Sequence, residues 1–185
     1  MKKLSNYQKS IIHDKRFLES KNEIFESLNS FLLNLKSCCE KEFLPEKSIF
    51  KKGQYKIVRG ENLASMPYIA LDYPRYVSKS DFLIVRRLFW WGYGWYSFIH
   101  YSKDFYDQLQ SPIKNLKEEH NWKLSYPQNQ FHYPDYLKLK QEPDSEEYAI
   151  PFLSYSLENS LEFIEGRYLK EYEQLKPYLE ILKIP

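Results

Sequence analysis

The sequence predicts an α+β domain: a four-stranded antiparallel meander over about residues 54–102, packed against a long N-terminal helix and C-terminal helices. Two observations predict it. Helical periodicity occupies the two ends of the chain, and strand-like segments are grouped between them. The links between those segments are short, which forces antiparallel pairing. A chain of 185 residues suits a single domain. At that length folding buries roughly 70% of the surface of the unfolded chain, so a core forms without metal or disulfide staples.

From Asp14 to Phe43, apolar residues recur at intervals of three and four: Phe17, Leu18, Ile24, Phe25, Leu28, Phe31, Leu32, Leu35, Cys38 and Cys39. That spacing predicts one amphipathic helix whose stripe packs on a core. The stripe is wider than a strict coiled-coil seam, which makes a coiled coil the second reading. Pro45 and Gly53 bracket a loop. Gln54–Arg59 reads as a strand, Gly60-Glu61-Asn62 as a turn, and Pro67–Tyr73 as a second strand that Tyr73-Pro74 ends. Residues 82–91 pair a possible Ser78/Asp81 capping box with β-branched and aromatic enrichment. The Gly pair that follows decides for a strand. Gly92-Tyr93-Gly94 turns it into a fourth strand, Trp95–Tyr101. Lys103–Gln110 reads as a short helix, restarted by Ser111-Pro112 and running to His120. Residues 121–153, with four prolines, read as extended loop with one or two short strands. A final helix carries Leu157, Leu161, Ile164, Tyr168, Tyr172 and Leu175, capped by Ser154 or Ser156.

Net charge is +2, too small to imply a nucleic-acid or membrane partner. Its distribution is uneven. Residues 1–60 carry 13 basic against 7 acidic groups, and residues 103–185 carry 10 against 15. This places a basic N-terminal helix near an acidic C-terminal one. The adjacent Cys38-Cys39 cannot bridge on a helix, and with no disulfide framework a reducing compartment is expected. No leader-like apolar run and no membrane span is visible, so the expectation is a soluble cytoplasmic protein.

Seven of the ten residues 89–98 are aromatic. Burying one Trp or Tyr is worth roughly 4–6 kcal/mol as an upper bound. Most of the seven must therefore be core, while strand alternation sends Trp90 and Trp91 to opposite faces. One of them is expected to face outward and line a pocket or partner surface. Alternation also turns either Arg86 or Arg87 inward, where it needs a carboxylate, with Asp72 or Asp81 the natural partner. An exposed sheet side presenting Tyr73, Arg75, Arg86 and Trp90 or Trp91 would receive a ligand or partner, the arginines gripping a carboxylate or phosphate. The enzyme alternative uses Asp72 or Asp81 as acid/base and His100 as proton shuttle. His13, His100, His120 and His132 show no metal-ligand spacing. No metal or other cofactor is expected. Ser48-x-x-Lys51 and Ser111-x-x-Lys114 lack the companion motifs of serine acylases, and the five glycines form no phosphate cradle. The basic residues lie away from the aromatic turn, which disfavours nucleic acid.

Gly60-Glu61-Asn62, Met66-Pro67-Tyr68, Leu71-Asp72-Tyr73-Pro74-Arg75 and Phe89-Trp90-Trp91-Gly92 together resemble a set of uncharacterised bacterial conserved-hypothetical proteins, over about residues 55–102. The resemblance implies a bacterial, cytoplasmic protein and transfers no activity and no catalytic residue. The leading expectation is a non-catalytic ligand- or partner-binding protein. An enzyme with an Asp/Arg/His site across the sheet, and an assembly protein forming a homodimer through its N-terminal helix, are the alternatives.

Overall fold

The computed structural model describes residues 3–42, 54–127, 129–137 and 149–182. The expected loop between Pro45 and Gly53, and Ser48 with Lys51, lie outside them. The fold is α+β and the sheet is antiparallel, but it has six strands, not four. Helices α1 (Asn6–His13) and α2 (Lys15–Glu42) come first. Strands β1 (Lys56–Leu63), β2 (Met66–Val77), β3 (Phe82–Trp90) and β4 (Gly94–Tyr101) form the expected meander. Helix α3 (Lys103–His120), β5 (Lys123–Ser125), a 3-10 turn (Tyr133–Leu137), β6 (Ile150–Tyr155) and α4 (Leu161–Ile181) complete the chain. The strand order is β1-β2-β3-β4-β6-β5, so β6 returns to pair with β4 and carries β5 on its far side. These two strands come from the proline-rich stretch, where short segments give periodicity too little length to register.

Several boundaries differ from expectation for identifiable reasons. Strand β1 runs through Gly60-Glu61-Asn62. Gly60 sits against the Tyr68 ring, where a Cβ would clash, and the turn falls at Ala64 and Ser65, both at positive φ. Asn62 Oδ1 accepts from Ser65 N to hold it. Strand β2 passes Tyr73-Pro74, a cis peptide, because the register shifts between Asp72 and Arg75 and takes proline's missing donor out of the ladder. Ser78 and Asp81 close the β2–β3 turn instead of capping a helix. Helix α3 is continuous through Pro112, which is buried with Phe105, Leu109, Ile113 and Leu116. Burying that stripe outweighs the ~3 kcal/mol that an interior proline costs. Helix α4 is capped by Ser160, whose Oγ accepts from Phe163 N, and not by Ser154 or Ser156. Leu157 is exposed before it.

Register sorts the sheet's two faces. Ile69, Phe89 and Trp95 share one face, as do Leu71, Arg87 and Ser97. Helices α2, α3 and α4 cover it, through contacts such as Phe31–Trp95, Tyr76–Phe105 and Tyr73–Tyr172. Ala70, Leu88 and Tyr96 lie on the other face with Asp72, Arg86 and Phe98. Residues 129–137 cover part of it, packing Tyr133 and Tyr136 on Phe98 and Phe131 on His100. Among the described residues no helix is long and apolar enough to cross a membrane.

Candidate functional site

The residues expected on one open surface are divided between two covered faces. Tyr73 is buried on the helix side against Tyr172, whose hydroxyl donates to the Tyr73 carbonyl. Trp90 lies on the other side, 1% exposed, its Nε1 donating to Leu63 O at 2.9 Å. Trp91 is half-buried and stacks on Phe25 of α2 at 5.7 Å. Neither tryptophan is therefore the outward ring that alternation implied, because α2 and the β1–β2 turn close over the apex. The exposed apical ring is Tyr93. Arg75 is half-buried beside a small cavity of 130 Å³ shared with Gln54, Tyr76 and Val77.

Arg86 and Arg87 point to opposite faces, and each meets a carboxylate. On the loop-covered face Arg86 makes a bidentate fork to Asp72, with Nε 2.6 Å from Oδ1 and Nη2 2.8 Å from Oδ2. Its Nη1 donates to the Tyr133 hydroxyl, which lies 3.2 Å from His100 Nε2. Asp72, Arg86, Tyr133 and His100 thus form one buried polar chain. Burial works against the charge on Arg86, but Asp72 and Tyr133 more than offset it and raise its pKa. Burial, reinforced by the Arg86 charge and only partly countered by Gln130, holds the His100 imidazole well below its usual value, as the neutral base. Burial also pushes the Tyr133 phenol up to about 12. Asp81 is not in this chain. It accepts from Ser80 and from Ser102 Oγ, tying the β2–β3 turn to the start of α3, and those hydroxyls lower its pKa.

On the helix face Arg87 is fully buried, with Nη2 3.1 Å from Glu171 Oε2. Its guanidinium lies over the rings of Tyr168 and Tyr172, at 5.0 and 4.6 Å. Glu171 Oε1 accepts from Tyr155 OH at 2.6 Å. Burial first, then the Glu171 charge, raises the Tyr155 phenol. The ion contact lacks hydrogen-bond geometry, and among the described residues Arg87 Nε and Nη1 and Ser97 Oγ are also buried with no hydrogen bond.

Glu171 and Tyr155 also line a cleft of 580 Å³ between the end of α3, β6 and α4. Glu119, His120, Arg167, Lys170 and Glu173 stand around it, so both signs of charge face one space. Trp122 Nε1 donates to Gln174 Oε1 and holds that wall. Of the remaining histidines, His13 closes α1 and His132 pairs with Asp135 at 2.9 Å.

The sequence reading missed Glu171, Tyr155 and Tyr133. For Glu171 a signal existed: it falls three residues after Tyr168 and one before Tyr172, inside an apolar stripe, where an acid requires a buried cation. Tyr133 sits in a stretch without periodicity and carried none. Compared with known proteins, the chain matches no family model, no curated protein and no solved structure.

Proposed function

We propose that this is a non-catalytic binding protein that takes a small polar ligand, one bearing both an acidic and an amine-like group, in the cleft between α3, β6 and α4. The observation that carries the reading is the cleft's lining, in which Arg167 and Lys170 face the same space as Glu119, Glu171 and Glu173. Arg167 and Lys170 suit the ligand's acidic group, and Glu119 and Glu173 its amine. The non-catalytic reading is supported by the commitment of the acid/base candidates inside the fold. Asp72 is forked to Arg86, Asp81 accepts from two serines, and His100 lies under Phe131 and Tyr133. A bacterial cytoplasmic setting accords with Cys38 and Cys39 standing side by side on α2 without a disulfide between them.

The test is native mass spectrometry of the purified full chain, followed by thermal shift against a panel of free amino acids. A retained small molecule, or a rise in Tm that Lys170→Glu with Arg167→Glu abolishes, is the expected result. Bare protein with no Tm response to any member of the panel would sink the reading. The enzyme alternative draws on the Asp72–Arg86–Tyr133–His100 chain. It requires that chain to open to a substrate, which hydrogen exchange at Phe131–Tyr133 would reveal.

A further inference from the structure

Every seventh residue from Leu4 to Cys39 is apolar: Leu4, Ile11, Leu18, Phe25, Leu32 and Cys39. A spacing of seven keeps residues on one side of a helix, and on α2 it sets Leu18 in line with Phe25, Leu32 and Cys39. In its C-terminal half that line has a partner. Phe25, Leu28, Leu32, Leu35 and Cys39 are buried in the core. The body ends at Lys21, which pairs with Glu61 of β1, and at Arg59, whose guanidinium lies 3.9 Å above the Phe25 ring. Residues 3–20 before that point are all exposed. From Asn6 onward, Asp14 apart, they are nevertheless built as helix. Ser5 and Gln8 form a reciprocal capping box at the start of α1. Asp14, with non-helical ψ of 86°, breaks the axis, and its Oδ1 accepts from Phe17 N to restart it.

This arm carries Leu4, Tyr7, Ile11, Ile12, Phe17 and Leu18, with Ile24 at its root, all in solvent and as much as 74% exposed at Tyr7. We infer that the arm is a homodimer interface, packing against the same arm of a second copy of this chain about a two-fold axis. Three observations select that occupant. The apolar period is of the kind that self-pairing helices use, and a two-fold interface needs one self-complementary patch. The size fits: at about 200 Å² for a fully exposed large apolar side chain, the seven side chains of two copies offer up to about 1,400 Å² for burial, which reaches the standard range for a specific interface. The charges are mixed. Lys3, Lys9, Lys15 and Arg16 stand with Asp14 and Glu19, so acids of one arm can meet bases of the other. The inference is independent of the cleft.

The test is sedimentation equilibrium of the full chain from about 1 to 100 µM, with Ile11→Glu/Leu18→Glu beside the wild type. The expected result is a wild-type dimer whose Kd rises at least ~100-fold in the double variant. Because neither side chain touches the core, the variant's Tm at low concentration should match that of the wild-type monomer. Ile11→Leu/Leu18→Ile should restore the dimer. A wild type that stays monomeric to the top concentration overturns the inference, as does a dimer that the double variant leaves intact. A monomer that instead sediments with phosphatidylglycerol vesicles overturns it too, and assigns the arm to a lipid surface.

Discussion

Removing Glu171 should cost far more than removing any surface acid. Arg87 is fully buried and Glu171 is 3% exposed, so neither charge is hydrated in the folded state. Breaking such a pair from one side leaves a buried cation uncompensated, a loss of about 3–5 kcal/mol. Glu171→Ala also strips the Tyr155 hydroxyl of its acceptor, but that ring is half-exposed and water can take the place of the carboxylate. Against a total stability of ~5–15 kcal/mol this is about a fifth or more of the whole. At about 2–4 °C per kcal/mol for a domain of this size, Tm should fall by roughly 6–20 °C. Replacing both partners, Arg87→Met with Glu171→Leu, removes two desolvated charges together and should recover most of the loss. The control is Glu118→Ala, which breaks a fully solvated pair with Lys114 at 3.9 Å and should cost less than ~0.5 kcal/mol. Urea unfolding followed by tryptophan fluorescence measures these three variants and the Arg87→Met and Glu171→Leu singles. If Glu171→Ala loses less than about 1 kcal/mol, or if the double variant is as unstable as the two singles summed, the buried-pair reasoning fails.

Two further outcomes test the fold and its titration. Gly94→Ala should destabilise by about 2–4 kcal/mol, since φ is +115° and a Cβ there would lie 2.4 Å from the Tyr155 carbonyl oxygen. Gly92→Ala, at φ +76° with open space around it, should cost only about 1 kcal/mol, and equal losses in the two urea curves would contradict this. Lowering the pH below ~6.5 should destabilise the protein, because the unfolded chain binds a proton at His100 that the folded state refuses; the slope is at most ~1.4 kcal/mol per pH unit. His100→Phe should remove that contribution, and identical slopes in variant and wild type would refute it.

The meander was legible because its strands are long, its β3–β4 turn is marked by glycine, and its aromatic density is too costly to leave in water. The C-terminal addition was not. Strand β5 has three residues, and β6 is recognisable only once β4 offers it an edge. Punctuation misled where burial overrode it. Pro74 and Pro112 read as breaks, yet one sits at a register shift inside a strand and the other inside a helix whose packed stripe holds it. The same competition erased the outward tryptophan. Alternation correctly sends neighbouring rings apart, but it cannot say that Phe25, sixty-six residues before Trp91, will lie over one of them.

The arginine pair shows how far local rules reach toward a site. Alternation demands that Arg86 and Arg87 diverge, and burial demands a carboxylate for whichever turns inward. Both demands are met, on both faces, because each arginine is covered where it lies. Asp72 was nameable because it lies directly opposite Arg86 on the neighbouring strand, a relation that a short hairpin fixes. Glu171 reaches Arg87 only through the docking of α4, which no spacing within β3 encodes. Yet α4 itself carried the clue, an acid between two tyrosines on a stripe bound for the core. Read from the helix, the buried cation could have been inferred before its position in the sheet was known. The cleft between α3, β6 and α4 begins at that same carboxylate, so the docking that buries Arg87 also shapes the cleft.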